Sequence, residues 1–319
     1  MSAGEILVAV VASLVQVLVV VAGAPYLTGL MRQVRARLEG RAGPGVGQPA
    51  RDLRKLMTKE ATVPDGASWV FRAAPLVLMA TVVLLGAAVP FVTTITPVSG
   101  ADDLFAVVAV LMLGTVALTL AGLDTGTAFG GMGASREVTV LALAEPTILL
   151  AIFALSVRVG SSDLGDIVEG TLAAPSQLFW PASLLAAVAF GVVIVAETGR
   201  LPVDNPSTHL ELTMIHEAMV LEYSGRDLAM VELASWSRLA ILLGLGVNLF
   251  VPWGVATTVA PGALALGVVA LVVKVCVLGA ALAAFEVFMA KLRLFRVPEL
   301  LAGSLLFALL AVTASFFLA

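Results

Sequence analysis

The chain has 319 residues, 60% of them hydrophobic and only 13% charged, with a mean hydropathy of +1.06. A soluble domain carries about 25% charged residues, so this composition excludes the soluble classes and points to the membrane. The formal net charge of −4 offers nothing to nucleic acid. The one cysteine, Cys276, can neither close an intrachain disulfide nor hold an iron–sulfur cluster, which takes about four such ligands.

Apolar windows long enough to cross a hydrocarbon core of ~30 Å recur along the chain. They lie near Ile6–Leu30, Ala73–Ile95, Leu104–Leu123, Val138–Val157, Leu178–Ala196, Leu239–Val259, Gly262–Phe285 and Leu300–Ala319. Lone strands cannot satisfy their backbone in lipid, so the windows predict an all-α integral membrane protein with eight transmembrane helices. The first window lacks a basic lead-in and is too long for a signal-peptide core. No internal repeat is evident, which argues against an inverted-repeat transporter. The organisation is one polytopic domain, 1–319, with two large loops at 32–72 and 199–236.

Basic residues set the expected direction. Loop one holds nine: Arg32, Arg35, Arg37, Arg41, Arg51, Arg54, Lys55, Lys59 and Arg72. Alternate loops hold Arg136, then Arg200, Arg226 and Arg238, then Lys291, Arg293 and Arg296, while Arg158 lies opposite and Lys274 within a span. Sixteen of eighteen on one side predicts cytoplasmic loops and both termini outside, in the inner (cytoplasmic) membrane. The acids of the opposite loops (Asp102, Asp103, Asp163, Asp166 and Glu169) read as solvated surface.

In loop one, Gly40, Gly43, Pro44, Gly45, Gly47 and Pro49 break any helix. Arg51–Glu60 then sets Leu53, Leu56 and Met57 against Arg51, Arg54, Lys55 and Lys59, predicting a short amphipathic helix on anionic lipid. Loop two carries the segment Ala196–Gly225, which holds both histidines, His209 and His216, with Glu197, Asp204, Glu211, Glu217 and Glu222. Such polar density beside lipid-soluble helices costs free energy and marks a functional region. Asn205 and Pro206 read as a helix start and Gly225 as a stop, predicting a docking helix of roughly 18 residues. Its two histidines stand seven apart, not the three or four of paired helical metal ligands, so no metal site is expected. Structural or partner-contacting histidines fit better.

Glu145, followed by Pro146, lies inside the fourth window, and Lys274 lies near the middle of the seventh. Ionisable groups at that depth are functional candidates facing a carboxylate or a wet cavity. With Asp124, Glu137, Glu197 and Glu286 at helix ends, they compose a candidate proton relay; an interfacial role for Asp124, Glu137 and Glu286 is the plain alternative.

The string AETGRLPVDNP followed by LEYSGRDLA resembles the fifth-to-sixth-span loop of subunit 1 of respiratory complex I, the NADH-quinone oxidoreductase membrane subunit that joins the two arms. GRAGPGVGQPARDLRKLMTKE is similar to that subunit's first inner loop. Quinone-reducing members usually read PFD and then an acidic, serine-containing stretch; here the text is PVDNPSTHLELTMIHEAMVLEYSGRDLA. That version resembles formate hydrogenlyase and the group 4 membrane-bound nickel–iron hydrogenases (hydrogenase-4 component C type).

The resemblance implies an arm-joining subunit that couples redox chemistry elsewhere to proton or sodium movement. The nickel–iron centre and iron–sulfur clusters would sit on partners: hydrogenase large and small subunits and a ferredoxin-like subunit, with antiporter-like membrane subunits beyond. Glu197, Arg200, Asp204, Glu211, Glu217 and Glu222 would meet the cavity and partner junction, with His209 and His216 beside them. Arg41, Gly43, Pro44, Gln48, Asp52 and Lys55 would form the opposing wall. The departures weigh against a bound quinone and leave room for a cavity. A complex I quinone subunit, a free-standing transporter and a passive anchor are the competing readings.

Overall fold

The structure, a computed structural model, describes residues 3–95, 100–204, 214–258 and 260–318. Helices α1 (Ala3–Leu38), α3 (Trp69–Ala88), α4 (Leu104–Asp124), α5 (Ala128–Val159), α9 (Gly225–Phe250), α10 (Pro261–Phe288) and α11 (Val297–Leu318) are long and apolar enough to cross a membrane. The remaining predicted span is α7 (Pro181–Glu197), whose 17 residues reach about 25 Å. It packs against α5, α9 and α11. The all-α expectation holds, with no strand among the described residues.

The helices start where the sequence supplies caps. Asp103 accepts from Phe105 and Ala106 N–H at the start of α4, Ser68 from Val70 N–H at α3, and Thr127 from Gly130 N–H at α5. Asp102 and Asp103 are thus structural, not simply solvated. Asp102 is buried and accepts from the N–H of Gly165 in α6 (Leu164–Ala173).

Two predicted boundaries move. The amphipathic helix α2 runs Gln48–Met57, three residues earlier than expected, because Pro49 occupies its first turn instead of breaking it. The window Ala73–Ile95 stops being helical at Ala88. Beyond it, Val92 O accepts from Ala256 N–H and Ala256 O from Thr94 N–H, so residues after α3 pair with residues after α9. Buried Gln16 ties Gly86 O, Val89 O and Val92 N–H to α1, and buried Asn248 donates to Pro90 O and Phe91 O. These side chains satisfy backbone that would otherwise stand bare in lipid.

Loops one and two are joined at one end of the bundle. Tyr223 stacks on Phe71 at 4.1 Å and its hydroxyl donates to Phe71 O. Ser224 Oγ accepts from Thr62 N–H and lies 3.0 Å from Thr62 Oγ1. Gly225 opens α9 at φ +52°, and a Cβ there would stand 2.2 Å from Glu60 O. It starts a helix where the sequence predicts a stop. Of the predicted 18-residue docking helix, the described residues are helical only in α8, His216–Val220; Met214, Ile215 and residues 221–224 are not, and residues 205–213, with His209 and Glu211, lie outside the described residues.

Candidate functional site

A cavity of about 600 Å³ opens at the end of the bundle that carries the two loops. Arg32, Arg35, Glu39 and Arg41 border it from the end of α1 and the start of loop one. Arg200, Asp204, His216 and Glu217 come from loop two, Glu232 and Trp236 from α9, and Glu286 from α10. Glu286 is buried and takes Arg200 at 3.3 Å and Arg35 at 3.9 Å; Arg35 also binds Glu39 at 3.0 Å. Burial pulls Arg200 below the usual arginine range, and Glu286 opposes that pull. Arg32 lies over the Trp236 ring at 5.7 Å.

Loop two is held to this cavity by buried Asp204. One of its oxygens accepts from Ile215 N–H at 3.1 Å and the other from Lys291 Nζ at 2.8 Å. Arg136 donates to Met214 O at 2.7 Å, and Leu292 N–H to Pro202 O. His216 is thereby fixed in the wall between the large cavity and two small ones behind it.

Burial holds the His216 imidazole below its ordinary value of 6.5, although Glu217 and Asp204 pull the other way. The folded chain therefore favours the neutral ring, while the unfolded chain gains a proton near pH 6.5. Stability from this group is present above about pH 6.5 and lost as pH falls below it. The melting temperature of the wild-type chain should fall as pH drops through that range, and His216→Gln should flatten the dependence; an unchanged pH profile in the variant would refute the assignment.

Behind His216 a cavity of about 40 Å³ is lined by Thr81, Thr115, Glu137, Glu197 and Arg238, among others. Arg238 Nη2 donates to Glu197 at 2.5 Å and stands 3.7 Å from Glu145. Glu137, Glu145 and Glu197 are all buried, so α5, α7 and α9 bring three acids around one cation.

The predicted residues separate into groups. Glu137, Glu145 and Glu197 meet around Arg238, while Glu286, Arg200, Asp204, His216, Glu217, Arg41 and Pro44 line the large cavity. Glu222 is partly buried just after α8. Asp124 has a structural task, accepting from Ser68 and Phe71 N–H at the start of α3. Gln48 donates to Asp52 within α2, whose Lys55 is exposed, and Gln33 clasps the turn around Gly43 by donating to Ala42 O and accepting from Gly45 N–H.

Lys274 meets no carboxylate among the described residues. Its Nζ donates to Asn248 Oδ1 at 2.7 Å and to Val251 O at 3.0 Å, closing the end of α9. A cation there complements the helix dipole.

Arg238 and Glu232 join the site although hydropathy leaves them in loop two, because the sixth apolar window begins at Leu239. The run GRDLAMVELASWSRLAILLG places Arg238 directly before the apolar stretch, and the helix extends back to Gly225. Continuing the 3.6-residue period across that charge is the signal that finds it.

The family model described as NADH dehydrogenase matches residues 10–317. The chain is 35% identical to formate hydrogenlyase subunit 4 of Escherichia coli (strain K12) over 93% of its own length and 96% of that protein's. It is 34% identical to hydrogenase-4 component C of the same organism over 83% of each. An NADH-quinone oxidoreductase subunit of Anaplasma phagocytophilum (strain HZ) is 32% identical over 76% of this chain and 75% of its own. Among solved structures, a chain of the membrane-bound sulfane sulfur reductase, an archaeal respiratory membrane complex, shares the fold. Its TM-score is 0.81 at 19% identity, covering 96% of this chain and 99% of that one. By the family match and by its identity to these relatives over most of their length, the chain belongs to the NADH dehydrogenase subunit 1 family of respiratory-complex membrane subunits.

Proposed function

We propose that this chain is the membrane subunit of a hydrogenase or formate hydrogenlyase type complex, joining soluble redox subunits to ion-moving membrane subunits. The observation that carries this reading is the polar path from the 600 Å³ cavity, past His216, to Glu137, Glu197, Arg238 and Glu145 inside the helix bundle. The soluble partners would be nickel–iron large and small subunits and a ferredoxin-like iron–sulfur subunit, seated on the loop end. Cys276 is the chain's one cysteine, so the clusters belong to those partners.

Redox events at the junction would change the protonation or position of the loop-two acids, and the buried acids would pass that change to proton or sodium movement in antiporter-like subunits. The excess of basic residues on the loop end supports placing the loops in the cytoplasm and both termini outside the inner membrane. Two of the acids bordering the cavity are paired with basic side chains, Glu286 with Arg200 and Asp204 with Lys291. With the hydrogenase-type relatives, that pairing favours a protein junction over a quinone chamber.

The test is ion transport coupled to redox turnover by the assembled complex in liposomes. Glu145→Gln should leave turnover within about twofold while lowering transport per turnover by at least about tenfold, short of the hundredfold or more that a positioned proton-transfer group can contribute. Unchanged coupling would reduce the chain to an anchor. Inhibition of turnover by quinone-site blockers would favour the complex I reading.

A further inference from the structure

Glu137 and Glu145 of α5 and Glu197 of α7 surround the single guanidinium of Arg238 on α9. The other elements packed here bring His216 from α8 and the hydroxyls Thr81 and Thr115 from α3 and α4. Asp204, held by Lys291, faces the same gap from loop two. Three buried negative charges against one cation would leave uncompensated charge away from water, so the cluster holds protons.

The contacts are unequal. Glu197 takes a 2.5 Å hydrogen bond from Arg238, whereas Glu145, at 3.7 Å, has both oxygens buried without a hydrogen bond. One Glu197 oxygen and Arg238 Nε are likewise unpartnered. The guanidinium has five N–H donors, enough to serve either acid. Gly114 keeps the ground beside the guanidinium free of a side chain: a Cβ there would stand in contact, 3.4 Å from Arg238 Nη1. The adjoining cavity of about 40 Å³ exceeds the roughly 10–15 Å³ that a buried water molecule needs.

We propose that Arg238 is a shared cation that moves between Glu197 and Glu145, so that one of the two is ionised at a time. With Arg238 on Glu197, Glu145 carries the proton. When the guanidinium crosses over, the Glu145 O–H bond breaks and its proton passes to Glu197, which borders the cavity, where a new O–H bond forms. One proton is exchanged and no other reactant is needed. Arg238 acts through the acids and is a positioning residue. Its purpose in coupling rests on the function proposed above; the exchange itself does not.

The test reads the carboxylic-acid C=O stretching band of the full chain in lipid nanodiscs, in H₂O and D₂O. Glu137→Gln first identifies and removes that residue's own contribution. Glu145→Gln should then abolish one carboxylic acid's worth of band, and its persistence would overturn the proposal. The decisive variant is Glu197→Gln. A shared cation moves to Glu145 and ionises it, so the same band is lost; a fixed Arg238 leaves the band in place, which would also overturn it. Should Glu197→Gln fail to accumulate, Glu197→Asp keeps the charge but withdraws it by one methylene. The band should then fall in part, and an undiminished band would again refute the exchange. Lost transport in Glu145→Gln with a persistent band in Glu197→Gln would retain the coupling function and reject the shared cation.

Discussion

Arg238→Met is expected to destabilise the protein by about 3–5 kcal/mol, the cost of breaking a buried ion pair from one side. Glu197, whose side chain is only 1% exposed, would lose its 2.5 Å charged partner, and Glu145 would lose the nearest positive charge. The measurement is accumulation of folded chain in the membrane and its melting temperature in detergent. Arg238→Met with Glu197→Gln should recover most of the loss, because a neutral amide no longer needs the cation. Glu145→Gln alone should cost about 1 kcal/mol or less, since neither Glu145 oxygen accepts a hydrogen bond. Equal losses in the single and double variants would mean that Arg238 stabilises by packing and not by charge.

Gly225→Ala should have the second largest effect. The residue sits at φ +52°, where an L side chain costs about 1–2 kcal/mol. Its Cβ would press on backbone, Glu60 O at 2.2 Å and Ala61 N at 2.8 Å, and backbone cannot rotate aside. Relief requires moving loop one away from α9, which would pull Thr62 off Ser224 and disturb the Tyr223–Phe71 stack. Hydrogen exchange across residues 60–71 should quicken by at least about tenfold, the equivalent of about 1.4 kcal/mol of local opening. Exchange unchanged in that segment would show that the two loops are not clamped at this point.

Hydropathy windows locate the long helices because a bilayer demands some 20 apolar residues per span. They fail where polar groups enter the membrane on helices. Arg238 looks like loop because a charge ends the window, yet its charge is absorbed by Glu197 and Glu145, which lie distant in sequence. The break after Ala88 is equally invisible. It depends on Gln16 and Asn248 reaching carbonyls far away along the chain, and no local pattern encodes that. Loop two departs from its local pattern for a related reason. Its capping signals are sound locally, but Asp204, Arg136 and Lys291 hold Met214 and Ile215 out of helix. Lys274 stands out for its depth, while its partner, the carbonyl end of α9, follows only from knowing where α9 stops.

The non-helical pairing after α3 and α9 has an electrical consequence. Polar groups enter the bundle from both ends: the large cavity reaches Ser235 on α9, and the paired segments meet the same helix at Asn248. About 20 Å of helix lies between those two residues, against a hydrocarbon thickness of ~30 Å. A transmembrane voltage falls mainly across the least polarisable layer, so the field there is steeper by about half than in plain lipid. Arg238 stands within that layer, where a full crossing by one elementary charge is worth about 2.3 kcal/mol per 100 mV. A short step of its guanidinium would therefore draw a disproportionate share of the energised membrane's force.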